Sequence, residues 1–258
     1  PNAMFIQYDT SLPIHTGEGC VGTDKDIKKN KHLIDILYKN NKSLPKEFRQ
    51  IEREYRGLGT KSFQVISSQF SLHYYFKDES TLRGFLQNLQ DNCTKGGYFI
   101  GTCYDGMKVF QTLQDTQMID MKDEYGKLVY SITKNYEIDS FTYSPDMIDM
   151  MFGQEIEVYM NSIGQTITEY LVNFEMFIEL MKEYGFELAL PTFRKGGYNP
   201  INKPIESFDS IIDKTSELRE KDSNFIKKTR NTDLFRVHTS KEYKLLSGLN
   251  NWFIFKKK

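Results

Sequence analysis

"KSFQVISSQF" (Lys61–Phe70), then "DESTLRGFLQNLQDN" (Asp78–Asn92) and "CTKGGYFIGTCYD" (Cys93–Asp105), decide the fold. The first is a β-branched and aromatic run without clean alternation. The second carries Leu82, Phe85, Leu86 and Leu89 at helical spacing, and the third enters a strand through a Gly96-Gly97 turn. Upstream, Met4–Tyr8 reads as a short buried strand ending at Asp9. "DKDIKKNKHLIDILYKN" (Asp24–Asn40) reads as an amphipathic helix with Ile27, Leu33, Ile34, Ile36 and Leu37 inward and a basic outer face. Strand, helix, strand, helix, strand with non-alternating apolar strands is the pattern of a parallel sheet covered on both faces, so the expected class is α/β.

Downstream, "KLVYSITKNYEI" (Lys127–Ile138) and "FGQEIEVYMN" (Phe152–Asn161) alternate as antiparallel strands do. They predict a small flap inserted at about 120–165 in a single domain spanning 1–258. "TITEYLVNFEMFIELMKEYG" (Thr166–Gly185) predicts the longest apolar helix, stopped by Gly185. "FELALPTF" (Phe186–Phe193) predicts a strand, "SFDSIIDKTSELREK" (Ser207–Lys221) a helix, and "NNWFIFKKK" (Asn250–Lys258) a closing strand with a basic tail.

Composition bounds the function. With 258 residues, 39% hydrophobic and 27% charged, the chain is that of a globular domain. A formal net charge of −1 gives no whole-chain attraction to nucleic acid or anionic membrane, so a nucleic-acid partner needs a local site. Three cysteines without metal-ligand spacing argue against a disulfide framework and for a reducing, cytoplasmic setting. No apolar run approaches the length of a membrane helix, and no membrane partner is expected.

The chemistry-bearing residues are few. Gly17, Gly19 and Gly22 in "HTGEGCVG" have G-x-G-x-x-G spacing but stand too far beyond the first strand for a nucleotide loop; a flexible surface loop is expected instead. Asp9 lies where open α/β sheets bind ligands, or serves only as a turn residue. Gln69, Phe70, Ser71, His73 and Tyr74 in "QFSLHYYF" follow the strand at Lys61–Phe70 and lie over the same crevice. Aromatic faces there stack on a planar base, with ~0.5–2 kcal/mol more if the base is cationic, and a histidine can donate to a ring oxygen. A packed aromatic cluster with a satisfied His73 accounts for the same residues equally well. Glu169 precedes an apolar helix, where first-turn charge stabilisation is its plainest role. The lysines at 28–31 and 256–258 are expected to be solvated faces, available to a phosphate chain.

Four segments together, "SSQFSLHYYF" (67–76), "LQNLQDNCTKGGYFIGTCYD" (86–105), "FGQEIEVYMNSIGQTITEYLVNFEMFIELMKEYGFELAL" (152–190) and "SKEYKLLSGLNNWFIFKKK" (240–258), resemble the mRNA cap guanine-N7 methyltransferases, with the enzymes of large DNA viruses nearest in character. The resemblance implies a class I methyltransferase (Rossmann-like) sheet, S-adenosylmethionine as methyl donor, and the guanine of a capped RNA 5′ end as acceptor. It implies that Asp9, Gln69, Phe70 and Ser71 line the S-adenosylmethionine site and that His73, Tyr74, Glu169 and Tyr104 contact the cap guanine. No catalytic acid, base or metal is implied.

Three departures accompany the resemblance. The family's Gly-rich donor loop and the acidic residue after it have no counterpart, so the domain is expected to be N-terminally incomplete. Tyr104 stands where the family has a proline. The family's C-terminal guanine-stacking aromatic falls at Asn250, with Trp252 and Tyr243 as stand-ins. The implied context is a larger capping polypeptide with other capping domains and a possible stimulatory subunit. A non-catalytic methyltransferase-like subunit, or a methyltransferase of small molecules, are the alternatives.

Overall fold

The computed structural model describes residues 3–40, 43–190, 203–210, 213 and 241–258, with side chains from 245 onward in the last segment. The fold is α/β with a mixed sheet. β1 (Phe63–Gln69), β2 (Cys93–Tyr104) and β9 (Asn250–Lys257) lie side by side. The far edge of β9 is shared by β7 (Phe186–Leu188) and β8 (Ile205–Ser207).

Among the described residues of this sheet, only β1 and β2 run parallel; β7, β8 and β9 are antiparallel to their neighbours. This corrects the all-parallel expectation, and the reason is local. The chain reaches β9 from helix α6 (Lys241–Gly248), beside the end of β2, so β9 can only run back along it. That junction is fixed by Asp105, whose N–H donates to Leu249 O (2.8 Å) and whose carboxylate accepts from Asn251 Nδ2 (2.8 Å). Gly96 and Gly97 do not form a turn ahead of the strand. They lie inside β2, where the pairing with β1 slips between Phe63 and Val65, a bulge that Gly96 at φ 77° accommodates.

Helix α3 (Glu79–Asn92), capped by Asp78, places Leu82, Leu86 and Leu89 against the sheet. Helix α5 (Phe174–Glu183) adds Phe177 and Leu180 to the same core. There Phe99, Phe177, Phe253 and Phe255 pack ring on ring, with Phe99 and Phe253 centroids 5.3 Å apart. Each such buried aromatic contributes on the order of 2–3 kcal/mol of transfer free energy.

A second sheet, four-stranded and antiparallel, follows helix α4 (Gly106–Thr112) and runs β3 (Met118–Lys122), β4 (Leu128–Lys134), β5 (Glu155–Met160), β6 (Gln165–Tyr170). The expected long helix at Thr166–Gly185 is therefore two elements. Thr166, Ile167 and Thr168 are β-branched and extend into β6, and α5 begins only after Asn173, whose side chain accepts from Met176 N (3.0 Å) as its N-cap.

Met4–Tyr8 is not a sheet strand. It makes one bridge, Tyr8 to Cys20, and Phe5 is 86% exposed, because no neighbouring strand among the described residues offers it a ladder. Helix α1 (Asp24–Tyr38) forms as expected, with a Thr23–Asp26 capping box. Helix α2 (Arg49–Tyr55) packs against it through a small core of Leu33, Ile36 and Phe48. The glycine-rich segment is an anchored turn, not a flexible loop. Gly17 and Gly19 are buried, and Asn88 of α3 holds the turn before them by donating to Thr10 O and Leu12 O (both 2.8 Å). Most of the helix expected at Ser207–Lys221 and of the strand end beyond Leu190 lies outside the described residues. Among the described residues no helix is long and apolar enough to cross a membrane.

Candidate functional site: a polar cavity between the two sheets

β1 ends at Gln69, and Phe70 takes a left-handed backbone conformation (φ 50°) that costs a non-glycine residue about 1 kcal/mol. Its N–H donates to Thr102 O (2.8 Å), which holds the turn. The chain then enters a 3-10 stretch, Leu72–Lys77, anchored by the fully buried Leu72 and Phe76. His73 and Tyr74 of this stretch border a cavity of about 480 Å³, the size range of small-molecule sites.

The facing wall comes from the second sheet. Alternation along its strands puts Tyr130 of β4, Met160 of β5, and Ile167 and Glu169 of β6 on one face, toward the cavity. Tyr104 and Asn250, register partners at the end of β2 and the start of β9, close the main-sheet side, with Phe70 and Phe208 at the mouth. The Tyr104 and Tyr130 hydroxyls hydrogen-bond across the gap and tie the two sheets together. Burial pushes both phenols well above their ordinary range.

His73 is 2% exposed and Glu169 4%. His73 Nε2 and Glu169 Oε1 stand 3.5 Å apart, too long and poorly aligned for a hydrogen bond, and both ring nitrogens and Glu169 Oε2 are buried without a partner. Burial lowers the His73 pKa to about 4 and raises that of Glu169 to about 7. The pair is therefore not an ion pair at neutral pH. The imidazole is neutral and the carboxyl is near its midpoint. Tyr74 is 41% exposed, its ring edge-on to His73 at 4.3 Å between centroids, so it offers an aromatic surface that water still reaches.

Of the sequence-predicted residues, Phe70, His73, Tyr74, Tyr104 and Glu169 meet in this cavity, while Asp9, Gln69 and Ser71 do not line it. The Asp9 carboxylate accepts from Ser11 N (3.0 Å) and Ser11 Oγ (2.7 Å), the turn role its sequence also allowed. Gln69 accepts from Thr102 Oγ1 (2.8 Å) and donates to Ser67 Oγ (2.9 Å), and Ser71 Oγ pairs with Ser68 Oγ (2.8 Å). Glu169 sits in strand β6 and not at a helix start, so helix-dipole stabilisation does not explain it. Trp252 is buried but does not line the cavity, and the Tyr243 side chain lies outside the described residues.

Tyr130, Met160 and Phe208 were not singled out from sequence. The alternation of "KLVYSITK" places Tyr130 on the inward face of its strand, but nothing in it signals Tyr104 as the partner. Among the described residues no group of His, Cys, Asp and Glu is arranged to hold a metal ion.

Comparison with known proteins places the chain in a family. Residues 28–238 match the model of the mRNA (guanine-N(7))-methyltransferase domain. The mRNA cap guanine-N(7) methyltransferase of Saccharomyces cerevisiae is 31% identical over 146 residues, covering 56% of this chain and 33% of that protein. The Aspergillus niger protein of the same name is 29% identical over 163 residues, 61% of this chain and 26% of that protein. The chain thus spans about a third or less of the length of these relatives. Among solved structures, an S-adenosylmethionine-dependent methyltransferase from Clostridium acetobutylicum is similar over 76% of this chain and 58% of its own, with 12% identity and a TM-score of 0.39. One from Listeria monocytogenes covers 76% and 62%, with 13% identity and a TM-score of 0.37. With its family model matched across most of its length, the chain belongs to the mRNA (guanine-N(7))-methyltransferase domain family.

Proposed function

We propose that the protein transfers a methyl group from S-adenosylmethionine to N7 of the terminal guanine of capped RNA, and that the cavity between the two sheets binds that guanine. The observation that carries the reading is that two residues lining one cavity carry buried polar atoms without a partner: the His73 ring nitrogens and Glu169 Oε2. Unpartnered buried groups each cost about 1–3 kcal/mol, and a ligand that supplies the partners recovers it. Guanine presents adjacent N1–H and N2–H donors and an O6 acceptor. Ionised Glu169 accepts the two donors, neutral His73 donates to O6, and Tyr74 covers the ring face. Adenine presents no ring N–H on that edge and would leave Glu169 unpaired, so rejection outweighs the mere loss of a contact.

N7 of guanine already carries a lone pair, so the reaction needs no general base. S-adenosylmethionine, when bound, supplies an activated methyl on a sulfonium. The chain's own task is to hold the guanine at a fixed angle and to keep water out, a proximity and orientation effect.

For the donor, Gln69, Phe70 and Ser71 at the carboxyl end of β1 adjoin the cavity, and Phe70 reaches into it. Their polar groups are satisfied internally, as is one Asp9 oxygen, so these residues fit one wall of a donor site and not a complete one. The rest of the reading is that this domain works within a longer capping polypeptide of viral type, with a stimulatory subunit as a further partner. The resemblance of the four segments to the enzymes of large DNA viruses supports it.

The test is methyl transfer from S-adenosylmethionine to GpppA-capped RNA by the complete polypeptide. Formation of 7-methylguanosine that falls at least a hundredfold in Glu169→Ala and His73→Ala supports the assignment. Undiminished transfer in both variants would overturn it.

A further inference from the structure

Asn250 stands at the start of β9, 9% exposed, on the main-sheet side of the cavity. Its Nδ2 donates to Leu246 O in the last turn of α6 (3.0 Å). A carbonyl can only accept, so this bond fixes which side-chain atom is nitrogen and which is oxygen. The oxygen, Oδ1, is buried without a hydrogen-bond partner. Asn250 is the register partner of Tyr104, so the two side chains stand next to each other on one face. Glu169 approaches from the other sheet. Two residues on different walls of the cavity, Asn250 and Glu169, thus each carry a buried acceptor without a partner.

We infer that Asn250 is a second specificity-determining residue, whose Oδ1 accepts a hydrogen bond from a donor of the bound cap nucleoside that Glu169 does not read. This rests on the guanine reading of the cavity. Two sources carry such a donor: a ribose hydroxyl and the outer hydrogen of the exocyclic amine. An asparagine cannot supply the aromatic stacking expected at this position, and its locked amide provides polar recognition in its place. The bond to Leu246 O matters to the role, because it keeps the oxygen from rotating away.

The experiment is equilibrium binding of GpppA and of its inosine, 2′-deoxyguanosine and 3′-deoxyguanosine counterparts to the complete polypeptide, wild type and Asn250→Leu. The expected result is roughly tenfold weaker GpppA binding by N250L, with the penalty falling below about twofold for the analogue that lacks the donor Asn250 reads. That analogue names the donor. Asn250→Asp keeps a side-chain oxygen but loses the bond to Leu246 O that holds it in place, and should show a discrimination among analogues that is weaker than wild type yet stronger than that of Asn250→Leu. An equal penalty for N250L on all four ligands, which a purely structural cap on α6 would give, overturns the inference. Wild-type protein that prefers GpppA to ApppA while showing that equal penalty contradicts the Asn250 role alone. Wild-type protein that binds the two equally contradicts the guanine reading itself.

Discussion

His73 Nε2 lies 3.5 Å from Glu169 Oε1, with both side chains all but inaccessible to water, yet burial moves their titrations in opposite directions and leaves them uncharged together over much of the acid range. The arrangement costs folding free energy that a bound ligand can recover, and it makes stability and binding depend on pH.

The stability effect of Glu169 has a definite sign. Its carboxyl titrates at about 7 in the folded chain against 4.5 as the ordinary value. Between these limits the unfolded chain loses its proton first, so stability falls as pH rises from 4.5 and the deficit is complete above 7. Glu169→Gln removes the deficit. In urea titrations the variant is expected to match wild type near pH 4.5 and to exceed it by no more than about 3 kcal/mol at pH 8. A gain that is the same at both pH values would contradict the burial of an ionisable Glu169.

His73 acts in the opposite direction over nearly the same range. Its folded pKa of about 4 lies below the ordinary 6.5, so the unfolded chain takes up a proton that the folded chain refuses. Stability is lost as pH falls from 6.5 toward 4. In wild type this loss is offset by the opposing Glu169 slope, so His73→Phe should make stability fall more steeply with rising pH between about 4.5 and 7, read from thermal melts across the range.

The Tyr104–Tyr130 bond makes a prediction that does not depend on the ligand. Tyr104→Phe leaves the Tyr130 hydroxyl buried with no partner, at a cost of about 1–3 kcal/mol. Adding Tyr130→Phe removes the orphaned hydroxyl, so the double variant should be no less stable than the single one. A double-mutant cycle in urea measures the coupling, and strict additivity would mean the bond does not join the sheets.

Gly101 tests the packing of the main sheet. It lies at the centre of β2 with Ser68 on one side and Phe253 on the other, and an added Cβ would collide with the Phe253 ring and the Ser68 carbonyl oxygen. Gly101→Ala should cost about 2–3 kcal/mol in denaturant unfolding. A neutral effect would contradict the close approach of β1, β2 and β9.

How much of this was legible in the sequence depended on whether the deciding interaction was local. β1, α3 and β2 could be read because period, cap and flanking turn all lie within each segment; Asp78 before Leu82, Phe85 and Leu86 is such a case. Thr166–Gly185 misled because apolar residues continue across a strand, a turn and a helix, and only Asn173 as an N-cap marks the break. Met4–Tyr8 has strand composition, but composition cannot supply a neighbour to pair with. In the site, His73, Tyr74 and Glu169 were found through their segments, whereas Tyr130 and the orientation of Asn250 depend on residues from other elements, Tyr104 and Leu246. Of the expected donor-site residues, Asp9 bonds within its own turn, and Gln69 bonds to Ser67 and across the sheet to Thr102.

If Glu169 reads guanine in its ionised form, cap binding must depend on pH. Guanine N1–H and N2–H side by side need an acceptor at each carboxyl oxygen, which only the ionised form supplies, so binding in this mode expels the Glu169 proton wherever it is present. Calorimetry of GpppA binding to the complete polypeptide in buffers of different ionisation enthalpy is expected to show close to one proton released at pH 6 and almost none at pH 8.5. Affinity should rise about tenfold per pH unit below 7 and level off above it. Binding of GpppA with no proton release at pH 6, and an affinity independent of pH across that range, would show that Glu169 does not read guanine as a carboxylate.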